Sequence, residues 1–104
     1  MDRKIIEFHP AASDGAEAAK NWYAERSLLA SKSFVSELIH AVDQVVEAPE
    51  MWAEYEAGTR RYVFPRFPFS LVYRVLENKI QIVAVAHSKR EPGYWKSRYR
   101  NAIR

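Results

Sequence analysis

The hydrophobic period of this chain changes once, and that change decides its fold class. Before Pro49 the apolar residues recur three and four places apart. Phe34, Leu38, Val42 and Val45 form one stripe, with Val35, Ile39 and Val46 beside it. This is the spacing of a single helix face, and Pro49 ends the helix. Upstream, "SDGAEAAKNWYAERS" predicts a first helix, with Asp14 and Glu17 at capping-box spacing. Ala18 and Trp22, then Ala19 and Tyr23, fall on neighbouring rows of one face. Either Ser27 or Ser31 serves as N-cap of the second helix, and the short connection makes the two a helical hairpin.

From Thr59 the pattern becomes that of strands. "TRRYVF", "FSLVYRVL" and "KIQIVAVA" are rich in β-branched and aromatic residues. Glu77-Asn78 supplies a tight turn, so Phe69 to Ala86 reads as a hairpin. Alternation puts Phe69, Leu71, Tyr73 and Val75 on one face of its first arm. It puts Ile80, Ile82, Ala84 and Ala86 on one face of the second. The two prolines of "FPRFPF" suit an edge strand or a bulge, because proline donates nothing to a ladder. "RKIIEFH" at the start predicts one further strand, stopped by Pro10. Residues 48–58 read as a loop, with Trp52 and Tyr55 folding back. The order is β-α-α-β-β-β with a short C-terminal segment. That is an α+β fold of two layers, a helical hairpin on a mainly antiparallel sheet, expected as one domain over residues 1–104.

Charge is divided as sharply as the period. Residues 1–58 hold five Lys/Arg against eleven Asp/Glu, a net −6; residues 59–104 hold eleven against two, a net +9. An excess that the acidic half cannot match points to an anionic partner. With no cysteine, disulfides, thiolate chemistry and cysteine-based zinc sites are excluded. Asp, Glu and His do not recur at metal-binding spacing, so no metal or other cofactor is expected. No P-loop, helix-turn-helix or nucleophilic triad is visible. The N-terminus lacks the apolar stretch of a signal peptide, and no apolar run approaches the ~18 residues of a membrane span. A cytoplasmic protein without membrane contact is expected.

Cations and rings concentrate in "HSKREPGYWKSR", residues 87–98. Together with "RFPFSLVYRV" (66–75) and "IVAVAHSKREPGYWKSR" (82–98), the order of elements resembles the RelE/ParE superfamily of toxins from bacterial type II toxin–antitoxin systems. The resemblance runs over nearly the whole chain. It implies a small basic toxin held inactive by a cognate acidic antitoxin in a hetero-oligomer, and a plasmid-stabilisation role. It also implies one of two targets: ParE-like members block DNA gyrase, whereas RelE-like members enter the ribosome and cleave messenger RNA.

Metal-free RNA cleavage needs a base for the 2′-OH, cations for the phosphate and an acid for the leaving oxygen. The resemblance places arginine one position after the aromatic of the "FPF" strand in ribosome-dependent nucleases. It places another just past the last strand and a tyrosine a few residues later. Those positions look like Ser70, Ser88 (or Arg90 with the register shifted) and Tyr94. A nuclease would have to draw its catalytic set from Arg66, His87, Arg90 and Tyr94. The His87, Arg90, Pro92, Tyr94, Trp95 arrangement looks more like the ParE branch. There the contact residues for target, nucleic acid or antitoxin would be Arg61, Arg74, Lys89, Tyr94, Trp95, Lys96 and Arg98. The reading therefore leans to a gyrase inhibitor that is not itself an enzyme. A ribosome-dependent endoribonuclease is the alternative, and a plain RNA-binding or degenerate family member the third. Each residue also has a purely structural role open to it: for His87 a strand-end hydrogen bond, for Tyr94 and Trp95 a cover over the sheet edge, for Arg74 a pair with a helix glutamate.

Overall fold

A computed structural model describes residues 4–100. Strand β1 (Ile5–Phe8) leads into helix α1 (Pro10–Ala24), and α2 (Leu28–Glu47) follows after a tight link. A loop with one 3₁₀ turn (Glu56–Gly58) leads to β2 (Arg60–Val63), β3 (Phe69–Val75) and β4 (Lys79–His87), and α3 (Ser97–Arg100) closes the chain. The sheet order is β1-β4-β3-β2. β1 runs parallel to β4, and the other pairs are antiparallel. This is the expected α+β architecture.

Helix α1 begins earlier than its capping-box spacing suggested. Its N-cap is His9, whose ring Nδ1 accepts the Ala11 N–H at 3.0 Å, and Pro10 occupies the first helical position. Proline is suited there because its missing N–H has no helical partner anyway. Asp14 and Glu17 therefore lie within the helix, both exposed. For α2, the cap is Ser27, whose Oγ accepts the Ala30 N–H at 3.1 Å. Ser31 instead turns inward and donates to the Lys20 carbonyl of α1. That bond ties the two helices together.

The helices cover one face of the sheet. Phe34 of α2, fully buried, sits at the middle of a ring cluster with Phe69 at 5.2 Å, Phe67 at 5.5 Å and Tyr23 at 5.6 Å. Such pairs contribute roughly 0.5–1.5 kcal/mol each beyond area burial. Pro65 and Pro68 lie in the turn between β2 and β3, outside the ladder; Phe64 N–H donates to the Phe69 carbonyl at 2.9 Å across its base. Trp52 folds back as expected, its indole donating to the Gln44 carbonyl at 3.2 Å.

Strict alternation fails in β4. Val72 pairs with Ala84 and Tyr73 with Ile82, which leaves Val83 as an extra residue. A bulge of this kind reverses the facing of everything beyond it. Ile80, Ile82 and Val85 join the helix-side core, while Val83, Ala84 and Ala86 turn to the opposite face. The shared face expected for Ala84 and Ala86 with Ile80 and Ile82 is thus overturned. The opposite face does not stay open. The segment after β4 folds back over it and places Trp95 against Val72, Val83, Ala84 and Ala86. Gly93 makes this return possible. Its φ is +86°, and a Cβ there would meet the Lys96 Cε at 2.7 Å.

Tyr73 is fully buried and donates its hydroxyl to the Pro49 carbonyl at 2.6 Å. Burial pushes that hydroxyl up to about 12, with Glu50 reinforcing and Arg60 opposing the shift. Its folded value thus stands above the unfolded value of about 10. Its contribution is complete below pH 10 and is lost as pH rises through 12. Urea unfolding is expected to show stability declining over that window, a decline shallower in Tyr73→Phe, where only the smaller contributions of the Tyr23 and Tyr62 hydroxyls remain. At neutral pH the variant loses about 1–2 kcal/mol because the Pro49 carbonyl loses its donor.

Candidate functional site

The end of the sheet near His87 gathers most of the residues singled out from the sequence. A chain of rings and guanidinium groups runs across it. Arg61 of β2 lies 4.2 Å over the Tyr55 ring. Tyr55 stacks on Trp95 at 5.4 Å, and Trp95 meets Tyr94 edge-on at 5.3 Å. Arg90 covers Tyr94 at 3.8 Å, and Arg98 approaches it at 5.1 Å. Arg98 is also fixed to the sheet, its Nη1 donating to the Val83 carbonyl at 2.8 Å. Cation–π contacts at such exposed places are worth about 0.5–1 kcal/mol each.

Among the described residues, two clefts that His87 lines flank this chain, and a further one, lined by Tyr55, Arg60 and Arg74, also holds Glu50 and Glu54. The larger, about 600 Å³, runs between α1 and the end of β4. Its α1 wall is Ala11, Gly15, Ala18, Ala19 and Trp22; its floor includes Phe69 and Val85; its far wall is His87, Arg90, Tyr94 and Arg98. Among the described residues no carboxylate lines it, and Trp22 is 52% exposed. Burial raises the hydroxyl of Tyr23, which also lines it. The smaller cleft, about 270 Å³, lies over the β2–β3–β4 end and is lined by Arg61, Ser70, His87, Ser88, Arg90 and Trp95 among others. Among the described residues it likewise has no acidic lining.

Among the described residues, Arg61, Arg74, Lys89, Arg90, Lys96 and Arg98 form no ion pair. The carboxylates that pair with cations do so elsewhere, as Glu25–Arg26, Glu54–Arg60, Glu37–Arg66 and Glu7–Lys79. Arg74 does not pair with a helix glutamate. Its Nε donates to Gln81 at 2.8 Å, and its guanidinium lies 4.1 Å over Tyr99. Lys89 and Lys96 are exposed on the loop after β4.

Several residues behave differently from expectation. Trp95, anticipated as a contact ring, is 1% exposed. It supports the surface from beneath, because the bulge leaves a patch of small and β-branched side chains that needs a cover. Arg66 stands apart from the other proposed nuclease residues. Its Nε and its backbone N–H both donate to Glu37 of α2, each at 3.0 Å, and it lines neither cleft. His87, Arg90 and Tyr94 do meet, in the larger cleft. The Nδ1 of His87, however, already accepts the Lys89 N–H at 3.1 Å, and Phe69 packs edge-on against its ring. No three His, Cys, Asp or Glu side chains converge as metal ligands among the described residues.

Comparison with known proteins bears on this arrangement. Over residues 6–92 the sequence matches the family described as the ParE toxin of the type II toxin–antitoxin system parDE. The chain belongs to the ParE toxin family. Its fold is similar to that of a solved structure described as the chromosomal ParDE toxin–antitoxin system from P. aeruginosa. The TM-score is 0.72 at 19% identity, over 82% of this chain and 96% of that one. No curated protein matches the sequence. In this ParE-family chain no described helix is long and apolar enough to cross a membrane.

Two residues that matter here were not singled out in the sequence. Glu37 is 6% exposed in the middle of an apolar stripe, and an acid at such a position is itself a signal, since a buried charge demands a partner. His9 carried no such signal beyond standing before Pro10. Glu37→Ala would leave the Arg66 N–H without its acceptor and free the aromatic turn. A loss of about 1–3 kcal/mol is expected in urea unfolding. Glu37→Gln, which still offers one oxygen, is expected to lose less.

Proposed function

We propose that this chain is the toxin of a type II toxin–antitoxin pair, one domain acting in the cytoplasm. A cognate acidic antitoxin holds it inactive in a hetero-oligomer, and its target is DNA gyrase. The observation that carries this reading is the set of cations on the ring chain that, among the described residues, form no ion pair, beside an apolar cleft whose described lining holds no carboxylate. Such a face steers an acidic partner by charge and retains it by burial.

The nuclease set supports cleavage less well. Ser70 and Ser88 stand where the resemblance would put arginines, and Arg66 is committed to Glu37. One oriented cation on a transition-state phosphate is worth roughly 3 kcal/mol, about a hundredfold in rate. The meeting of His87, Arg90 and Tyr94 in one cleft is what favours the second reading, ribosome-dependent messenger RNA cleavage.

Inducing the chain alone is expected to arrest growth, and co-expression with the acidic protein of the neighbouring reading frame to restore it. Equal growth in both cultures would remove the toxin reading. Purified protein is expected to inhibit supercoiling by gyrase. Intact supercoiling together with codon-phased cuts in messenger RNA would select the nuclease instead.

Affinity for the antitoxin is expected to fall with rising salt, since coulombic steering is screened. Arg90→Ala combined with Arg98→Ala should flatten that dependence. A binding isotherm series at several ionic strengths measures it, and an unchanged slope would place the recognition elsewhere.

A further inference from the structure

Trp95 is covered on nearly every side, yet its indole N–H has no acceptor. The residue is 1% exposed, and among the described residues its Nε1 is a buried polar atom without a hydrogen-bond partner. The other two indoles differ. Trp52 donates to the Gln44 carbonyl, and Trp22 is open to solvent. A buried donor left without an acceptor is costly and uncommon in a folded protein. Covering Val72, Val83, Ala84 and Ala86 accounts for the ring's carbon skeleton. It does not account for the nitrogen, since a phenylalanine would cover them without burying a donor.

Trp95 lines the smaller cleft, where other donors gather. The sheet register explains why they meet. Arg61 pairs with Val72, and Ser70 pairs with Ala86. Directly paired residues share a face. Val72 and Ala86 pack against Trp95, so Arg61 and Ser70 stand on the face that Trp95 covers. Ser88 and Arg90 arrive from the turn after β4, held where the Ser88 N–H donates to the Pro68 carbonyl at 2.8 Å. Arg61 rests on Tyr55 and Arg90 on Tyr94, contacts that leave their guanidinium N–H groups unbonded. Among the described residues the Ser70 and Ser88 hydroxyls hold no hydrogen bond either.

We propose that the smaller cleft is a phosphate-binding site, in which the Trp95 indole N–H, the Arg61 and Arg90 guanidinium groups and the Ser70 and Ser88 hydroxyls serve one phosphate group carried by a nucleotide or a nucleic-acid strand. Guanidinium and indole groups donate and never accept. Two cations in a cleft with no acidic lining among the described residues select an anion. A carboxylate is planar and is served by a single guanidinium fork. A tetrahedral phosphate presents oxygens in several directions, which suits donors that come from β2, β3 and the segment after β4. The cleft, about 270 Å³, leaves room for the group and part of what carries it. This goes beyond the toxin reading and holds for either target. The competing acceptor within the protein is the face of Tyr94, whose ring meets Trp95 edge-on at 5.3 Å. An N–H resting on a ring face is only weakly bonded.

The test uses the full chain with inorganic phosphate and involves neither antitoxin nor gyrase, so its outcome is separate from theirs. The Trp95 indole N–H resonance is assigned through its contacts with Ala84 and Ala86 and followed as phosphate is added. It is expected to move downfield and saturate, while the Trp22 and Trp52 indoles move no more than they do in sodium chloride of equal ionic strength. Arg61→Gln is expected to weaken phosphate binding about tenfold, the loss of one charge-assisted hydrogen bond. Ser88→Ala, at an exposed position, is expected to weaken it by a smaller factor, and it carries the test alone if Arg61→Gln fails to fold. A nucleoside monophosphate and a short single-stranded oligonucleotide are then compared with phosphate. Tighter binding of the first identifies a free nucleotide as the source, and of the second a strand. A Trp95 resonance held upfield and unmoved by phosphate would place the N–H on the Tyr94 ring and overturn the proposal. So would an equal response to chloride, or saturation by acetate at lower concentration than by phosphate, which would make the cleft a carboxylate site.

Discussion

Strand β4 is covered on both faces, and the rest of the structure depends on that constraint. A strand in this position carries apolar residues on each side and needs a layer against each. The helical hairpin supplies one layer through Phe34 and its neighbouring rings. No second sheet or helix pair supplies the other. The return of the chain after His87 does so, with Trp95 as its buried wedge. Because the cover is a loop, it brings its own cations to the sheet end. The surface proposed for partners and the stability of the central strand are therefore one construction.

Electrostatics within the molecule follow the same division. The acidic residues that bind cations are occupied near the sheet margins and at the β2–β3 turn. The cations of the C-terminal region meet tyrosine faces instead. The charge of an arginine on a ring stays uncompensated, whereas a carboxylate partner offsets the field of the arginine it pairs with. The basic half thus retains its field while several of its arginines are held against rings, which is the combination the proposed recognition surface calls for.

Much of this was legible in the chain. The two hydrophobic periods identified the helical hairpin and the β3–β4 hairpin because each pattern persists over many residues. Pro10 and Pro49 marked boundaries for a reason of covalent geometry. Three features were not legible, and each involves contacts distant in sequence. The bulge at Val83 depends on pairing with Val72 and Tyr73, not on anything Val83 carries. The burial of Trp95 follows from that bulge. The His9 cap escaped notice because the preferred capping residues are short polar ones, although an imidazole Nδ1 occupies much the same place as an asparagine oxygen. For the site, Arg61, Arg90, Tyr94 and Arg98 were anticipated and do come together. The Arg66–Glu37 contact was not legible because Glu37 lies 29 residues away on another element.

The ring chain from Tyr55 to Tyr94 has a kinetic and entropic corollary. A free arginine side chain carries about 2 kcal/mol of rotamer entropy that docking would normally remove. Here Arg61, Arg90 and Arg98 have surrendered part of it in the unbound molecule. On the proposed reading, the surface would meet its partner as a preset template and not as a brush of mobile charges, so less order would remain to be imposed at the moment of contact. Selectivity among acidic partners would then rest, on that reading, on how well their spacing matches guanidinium positions set by Tyr55 and Tyr94 with the buried indole beneath them.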